Sequence, residues 1–256
     1  ESPRDAQAFR PAAGAPPAIA AASDAIGGGA SSMPGTLVVY APDAGSPSGY
    51  AAVPVDDADE GAHRSLAAGD LDRDGNEDLT TVFVAATGDP AELRVHISDG
   101  GSPPGFSTSS VGIAQAEGAH EVFDLDRDGS ADIVTPTGYY RQTAGPGFAF
   151  VPFPLVGNDR GFGVRVARLN ADFHPDVVVH TATLSGPSAS ATGYRLVALE
   201  ADGGGGFTPT VIASLDRSGD PSCVGDCYPA RNAAMTNANT LLAADLDHDG
   251  DDDVVL

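Results

Sequence analysis

The chain contains no lysine and no tryptophan, and it has only two cysteines in 256 residues. Its thirteen basic residues, all arginine, stand against 36 acidic ones, which gives a formal net charge of −23. A surface this acidic repels phosphate backbones and anionic lipids, so the composition argues against nucleic acid and anionic membranes as partners. No run of about 18 apolar residues is present, and we therefore expect no membrane insertion.

The two cysteines, Cys223 and Cys227, stand in the segment CVGDC. A local disulfide is the favoured interpretation and a metal-binding pair is the alternative, although no other cysteine can complete a zinc site. A disulfide indicates an oxidising compartment. The chain also begins at Glu1 rather than Met, as a secreted protein does once its signal peptide is removed. We expect a secreted protein, extracellular or periplasmic.

Residues 1–36 are rich in Ala, Pro, Gly and Ser and show little periodicity. We predict that they form an arm or linker, through which a homo- or hetero-oligomer could assemble. Residues 37–256 have a different texture, because short apolar runs such as LTTVFVA and DVVVH alternate with Gly- and Pro-rich turns. These runs have the length and composition of strands, and no helical periodicity appears. The sequence predicts an all-β fold.

Two elements recur along residues 37–256. The first is an acidic segment, complete at residues 70–78, 124–132 and 245–253 and degenerate at 168–176. The second is a turn that ends in glycine and an aromatic residue, at Tyr50, Phe106, Phe148 and Phe207. Repeats that carry several short strands each are typical of propeller blades. We therefore predict a β-propeller of about four recognisable four-stranded blades.

The ends of the chain raise the question of ring closure. The C-terminal DVVL could pair beside Val38–Tyr40 and close a four-bladed ring, and the alternative is a part of a larger ring. The fourth unit carries an insertion at about residues 208–244, which contains CVGDC. Loops that depart from their repeat often carry recognition, so Tyr228 and Arg231 are candidate partner-binding residues.

The acidic segment has the pattern of a cation loop. Aspartates at positions 1, 3, 5 and 9 and a carbonyl at position 7 make an all-oxygen shell of about 6–7 ligands, which suits Ca²⁺ better than Mg²⁺. The expected ligands of about three Ca²⁺ ions are Asp70, Asp72, Asp74, Asn76 and Asp78; Asp124, Asp126, Asp128, Ser130 and Asp132; and Asp245, Asp247, Asp249, Asp251 and Asp253. An EF-hand is excluded, since position 12 lacks glutamate and strands follow the loop.

The degenerate segment RLNADFHPD keeps two carboxylates, Asp172 and Asp176, and replaces positions 1 and 3 by Arg168 and Asn170. We expect no metal there. Our hypothesis is that the guanidinium of Arg168 lies near both carboxylates and replaces the ion as a charge-assisted pair.

The acidic loops and the Gly-aromatic turns together resemble the FG-GAP/VCBS repeats of integrin α-subunit-type propellers. The third unit also carries the Phe-Gly pair itself, at Phe162 and Gly163. The resemblance covers about residues 36–256. It implies Ca²⁺ at the three complete loops, an extracellular or periplasmic setting and ions with a structural role.

No catalytic signature is found, so no residue is predicted to be catalytic. The sequence favours a non-enzymatic, calcium-stabilised module for adhesion, carbohydrate or protein binding, or assembly. One alternative is the propeller module of an extracellular lyase or hydrolase. The other is a structural subunit of a cell-surface assembly.

Overall fold

The computed structural model describes residues 5–23, 36–56, 61–85, 91–113, 119–143, 147–155, 157, 159–185, 190–216 and 241–255. These residues form eighteen strands, which confirms the predicted all-β fold. Sixteen of the strands make four four-stranded antiparallel sheets, and the other two make a short sheet. Strands follow one another in chain order within each sheet, as they do in propeller blades. Nothing within the described ranges qualifies as a membrane-spanning helix.

The strands are named in chain order. The first sheet contains β1 (Asp5–Phe9), β2 (Ala18–Ala22), β3 (Leu37–Pro42) and β4 (Tyr50–Asp56). The second contains β5 (Gly61–Gly69), β6 (Asp78–Ala85), β7 (Glu92–Ser98) and β8 (Phe106–Ile113). The third contains β9 (Glu121–Phe123), β10 (Asp132–Thr135), β11 (Gly138–Gln142) and β12 (Phe148–Pro152). The fourth contains β13 (Asp159–Ala167), β14 (Asp176–Ser185), β15 (Ser190–Ala201) and β16 (Phe207–Asp216). The short sheet pairs β17 (Leu242–Ala244) with β18 (Asp253–Val255).

The chain divides into two compact units, residues 1–117 with 142–149 and residues 118–141 with 150–256. The core of the first unit is apolar and built largely from small side chains of the first sheet. It contains Phe9, Ala18, Ala20, Ala22, Leu37, Val39, Ala41, Leu66 and Leu79. Alternate residues of these strands point to opposite faces, which gives the buried set its two-residue spacing.

The core of the second unit combines β-branched residues with aromatic rings. Val164, Val177 and Val179 are fully buried. The ring of Phe153 packs edge-on against Phe207, with centroids 5.1 Å apart, and also stacks on Tyr139. Phe207 belongs to a Gly-aromatic turn, so this recurring element supplies a core ring to the unit.

A buried polar chain runs through the second sheet. Nδ1 of His63 lies 3.1 Å from Oγ1 of Thr81, which lies 3.0 Å from Nε2 of His96. Burial, with smaller contributions from the neighbouring His63 and Arg94, lowers the pKa of His96 to about 3. Its ring is therefore neutral at physiological pH and serves as a hydrogen-bonded core residue.

The predicted N-terminal arm requires correction over residues 5–22. These residues form β1 and β2, and β2 lies between β1 and β3 in the first sheet. Phe9, Ala18 and Ala20 are buried in the core. In addition, Oδ2 of Asp5 accepts the main-chain N–H of Leu66 at 2.9 Å, which ties β1 to the second sheet.

The predicted pairing of the C-terminal strand with the first sheet is wrong. Both edges of β3 are occupied, by β2 and by β4. The strand β18 pairs instead with β17, in the register Leu242↔Val255 and Ala244↔Asp253.

Candidate functional site

Within the part of the chain that the structure describes, five hairpins have loops of the same length. In every sheet, eight residues join the first strand to the second: residues 10–17, 70–77, 124–131, 168–175 and 245–252. We number these positions 1–8, and position 9 is the first residue of the next strand. The complete acidic segments are three of these loops, and the degenerate segment is a fourth.

Carboxylates shape each complete loop by accepting its own main-chain N–H groups. In the 70–77 loop, Asp70 Oδ2 accepts from Gly75 at 3.0 Å and Asp72 Oδ1 accepts from Asp74 at 3.1 Å. Asp74 Oδ1 accepts from Asn76 at 2.8 Å. The loops 124–131 and 245–252 repeat all three bonds at 2.9–3.2 Å. The aspartate spacing therefore encodes a tight curl of the chain.

The curl requires left-handed backbone at two positions. Position 4 has a φ of 66° at Arg73, and position 6 has a φ of 86° at Gly75. Glycine adopts such angles without a steric penalty, which explains its place at position 6 of every complete loop.

Position 9 is a buried anchor in the second, third and fourth sheets, whereas Asp253 in the short sheet is exposed. Asp78 is 0% exposed, and its two oxygens accept the N–H groups of Leu71 and Ser98, each at 2.8 Å. Burial raises the pKa of Asp78 to about 7, because desolvation outweighs the two hydrogen bonds, which lower it. A dication in the loop would act in the opposite direction and keep the carboxylate ionised.

Three aspartates of each complete loop bring carboxylate oxygens within 4.8 Å of one another. The groups are Asp70, Asp72 and Asp78; Asp124, Asp126 and Asp132; and Asp245, Asp247 and Asp249. In all three loops, Oδ1 of the position-1 aspartate is buried and accepts no hydrogen bond. A buried anionic oxygen without a donor is unfavourable. A cation among the carboxylates would satisfy it, so each loop could hold a metal ion.

The other predicted ligands lie in the same loops but outside these groups of three. Asp74, Asp128 and Asp253 are the aspartates concerned. The position-7 residues Asn76, Ser130 and Asp251 donate their N–H groups to position 5. Ligation through their carbonyl oxygens remains a prediction.

The degenerate loop keeps part of this frame. Asp176 at position 9 accepts the N–H groups of Leu169 and Ala201, both at 2.9 Å. Asp172 Oδ1 accepts the N–H of His174 at 2.8 Å. Burial raises the pKa of Asp176. Asn170 Oδ1 accepts the N–H of Asp172 at 2.8 Å, so the hydrogen bonds of positions 3, 5 and 9 persist in this loop with only two carboxylates.

The predicted replacement of the ion by Arg168 is wrong. Within the described ranges its guanidinium pairs with neither Asp172 nor Asp176, and the residue is exposed. Its main chain is engaged instead. The Arg168 N–H donates to Asp252 Oδ2 at 2.7 Å, and its carbonyl accepts the Asp252 N–H at 2.5 Å.

The loop 10–17 is a fifth copy that sequence reasoning missed, because RPAAGAPP contains no carboxylate. It makes the same reciprocal contact with the next loop. The Arg10 N–H donates to Glu77 Oε2 at 2.5 Å, and its carbonyl accepts the Glu77 N–H at 2.8 Å. The available signal was an arginine at position 1, as at Arg168, followed by an acid at position 8 of the next loop.

The loop 124–131 differs from the other complete loops by a contact with Arg141. Nε of Arg141 lies 2.5 Å from Asp126 Oδ2, and a terminal nitrogen lies 3.7 Å from Asp128 Oδ2. The first contact is a close ion pair in which the N–H does not point at the oxygen, since Asp126 Oδ2 accepts no hydrogen bond. The equivalent position in the second sheet is Ile97.

We expect Arg141→Ile to raise the affinity of the 124–131 loop for a divalent cation by about three- to tenfold. The guanidinium is half-exposed, so solvent screening keeps its repulsion of the cation modest. The reciprocal change Ile97→Arg should weaken the 70–77 loop. Calorimetric titration of both variants measures this. Equal affinities in Arg141→Ile and the unmodified chain would contradict it.

Several predicted features fall on residues 217–240, outside the described residues. They are the cysteines Cys223 and Cys227 and the candidate partner-binding residues Tyr228 and Arg231. Both ends of the predicted insertion, about residues 208–244, are described: residues 208–216 belong to β16, which pairs with β15, and β17 begins at Leu242.

Comparison with known proteins does not assign the chain to a family. No family model matches the chain, and no similar curated protein is found. The fold and the loops define a class: an all-β protein of blade-like antiparallel sheets with three aspartate groups that could hold metal ions.

Proposed function

We propose that the chain is a non-enzymatic, calcium-stabilised propeller-type scaffold, built from FG-GAP/VCBS-like repeats, that serves binding, adhesion or assembly outside the cytoplasm. The proposal of a bound ion rests on one observation: the buried Oδ1 of Asp70, Asp124 and Asp245, at the same position of three loops, has no hydrogen-bond partner. A chance acidic turn would not repeat this oxygen three times with the same hydrogen-bond frame.

The donor set favours Ca²⁺ among common cations. The converging side chains are carboxylates alone, which are hard oxygen ligands. Zinc would be expected to use nitrogen or sulfur ligands, and Mg²⁺ demands near-ideal octahedral geometry. Positions 1, 3, 5 and 9, with the carbonyl of position 7, would hold the ion. When bound, it would cross-link the first two strands of a sheet electrostatically.

The scaffold role is supported by how the carboxylates are used. Those at positions 1, 3, 5 and 9 accept main-chain N–H groups, so they are engaged in shaping the loop. An extracellular setting suits such loops, because calcium modules there work with dissociation constants of about 10⁻⁴–10⁻³ M. Protein and carbohydrate ligands remain the two candidate classes, and a glycan array combined with pull-down would separate them.

Calorimetric titration of the calcium-free chain tests the ion assignment. We expect three bound Ca²⁺ ions, one for each aspartate group. Asp70→Asn, Asp124→Asn and Asp245→Asn should each remove one ion, because each change deletes a charge at position 1. Asp172→Asn, in the degenerate loop, is the matched control and should leave the count unchanged. The absence of binding at millimolar Ca²⁺, or an equal loss in the control, would contradict the assignment.

A further inference from the structure

A cavity of about 330 Å³ lies among three consecutive loops of the second unit. Phe123 and Arg127 line it from the 124–131 hairpin, and Asp252 lines it from the 245–252 loop. Arg168, Phe173 and Pro175 line it from the degenerate loop between them. Its volume is at the lower end of the range for small-molecule sites.

Phe173 is an outlier in two respects. It is 68% exposed, and it has a φ of 66° at position 6, where the complete loops have glycine. A bulky side chain is disfavoured in left-handed backbone. Because the ring is exposed, it contributes little hydrophobic stabilisation that could offset this cost. Strained residues of this kind cluster at binding sites. Phe123, which is 45% exposed, offers a second ring at the same cavity.

The cavity is also rich in positive charge for this chain. Arg127 and Arg168 are two of only thirteen basic residues in a protein of net charge −23. Within the described ranges, neither guanidinium forms an ion pair. The main chain of Arg168 is fixed by its two hydrogen bonds with Asp252, so the base of this side chain is held in place.

Asp252 sets a limit on the charge of a ligand. One of its oxygens is engaged with the Arg168 N–H, yet its carboxylate would still repel a polyanion. Among the residues that line the cavity, two guanidinium groups and one carboxylate sum to a charge of +1, which matches a single carboxylate better than a phosphate. Arginine is well suited to such a ligand, because its fork can bind a carboxylate through two hydrogen bonds.

We propose that this cavity binds a carboxylate that carries an aromatic or aliphatic group. The C-terminal residue of an apolar peptide and a free aryl acid share this chemistry. The rings of Phe123 and Phe173 contact the apolar group, and the guanidinium groups of Arg127 and Arg168 bind the carboxylate. This assignment rests on the proposed binding role, but none of the residues that line the cavity is a predicted metal ligand.

Titration of the full, calcium-saturated chain with N-acetylphenylalanine tests the proposal by calorimetry. Its amide is the matched control, and we expect at least about tenfold weaker binding because the amide cannot form a charge-assisted bond. Glucuronate, which has the charge without the apolar group, should also bind more weakly. Equal affinity for the acid and the amide would overturn the proposal. Tighter binding of a peptide ending in phenylalanine than of phenylacetate would assign the peptide source, and the reverse order would assign the free acid.

Phe173→Gly gives a readout that a structural role would not produce. It should abolish binding while leaving the melting temperature unchanged or raised, because glycine relieves the left-handed strain. Arg127→Gln should weaken binding at least about tenfold. Arg73→Gln, at the same loop position in the first unit, is the control and should leave binding unchanged.

Binding by Phe173→Gly with the affinity of the unmodified chain would overturn the proposal. If none of the probes binds to a chain that holds three Ca²⁺ ions, only the ligand assigned to the cavity is refuted. If the chain binds no Ca²⁺, the proposed function is refuted.

Discussion

Chelation with EDTA should lower the melting temperature by roughly 5–10 °C for each loop that loses its ion. At a free Ca²⁺ concentration of 100 times the dissociation constant, one site contributes about 2.7 kcal/mol to the free energy of unfolding. For a chain of this size, each kcal/mol shifts the midpoint by about 2–4 °C. Without the ion, the three carboxylates of each aspartate group, whose oxygens lie within 4.8 Å of one another, would also repel each other.

The shift should differ between the two units. The first unit contains one complete loop, 70–77, and the second contains two, 124–131 and 245–252. If the units melt separately, the transition of the second unit should move further on chelation. Differential scanning calorimetry with and without EDTA measures both midpoints. Added Ca²⁺ should restore them and equal Mg²⁺ should not; an unchanged thermogram in EDTA would reject bound calcium.

Asp176→Ala should lower the free energy of unfolding by roughly 2–6 kcal/mol. The side chain is buried and accepts two main-chain N–H groups, from Leu169 and Ala201. Removing it leaves the N–H groups of two partly buried residues without this acceptor, at up to about 1–3 kcal/mol each. The loss should be the same with Ca²⁺ and with EDTA, because no metal is expected in this loop.

Two comparisons sharpen this prediction. Asp172→Ala removes one bond to an exposed loop N–H and should cost less than about 1 kcal/mol. Asp78→Ala removes the equivalent pair of bonds, from Leu71 and Ser98, and this variant should lose further stability when Ca²⁺ is present. Urea denaturation of the three variants in both conditions provides the measurements. A calcium-dependent effect of Asp176→Ala would show that the degenerate loop does bind the ion.

The acidic hairpins and the strands after them could be predicted from the sequence, because both are encoded locally. Aspartate at alternate positions followed by glycine specifies the curl through bonds such as that from Gly75 to Asp70. The apolar run behind position 9 then has the length and branching of a strand. The same local logic located the turns that end at Phe106 and Phe207.

The first sheet could not be predicted in full, because its first two strands lack both the acidic segment and a run of β-branched residues. DAQAF and AIAAA contain no β-branched residue except Ile19, and alanine has little strand preference. Their place is set by pairing and close packing, since Ala20 and Ala22 are completely buried in the first sheet. Tertiary context of this kind is invisible to a local pattern.

The error at Arg168 has a similar origin. A charge pattern suggested an ion pair within one loop, whereas the backbone of Arg168 bonds to Asp252, 84 residues later. Loop sequence alone does not show which later hairpin will lie beside it. For the same reason, the grouping of Phe123, Arg127 and Phe173 around one cavity emerged only from the structure.

The reciprocal bonds of Arg10 with Glu77 and of Arg168 with Asp252 have a thermodynamic consequence. In both cases, a hairpin without a complete acidic segment is bonded to the position-8 acid of a later hairpin that has a complete segment. Repeats linked in this way behave as a one-dimensional array, in which the stability of a unit includes a term from its neighbour. An ion in the 245–252 loop would thus contribute through Asp252 to the order of the 168–175 loop, for which no ion is predicted. Occupancy of three sites would stabilise five hairpins.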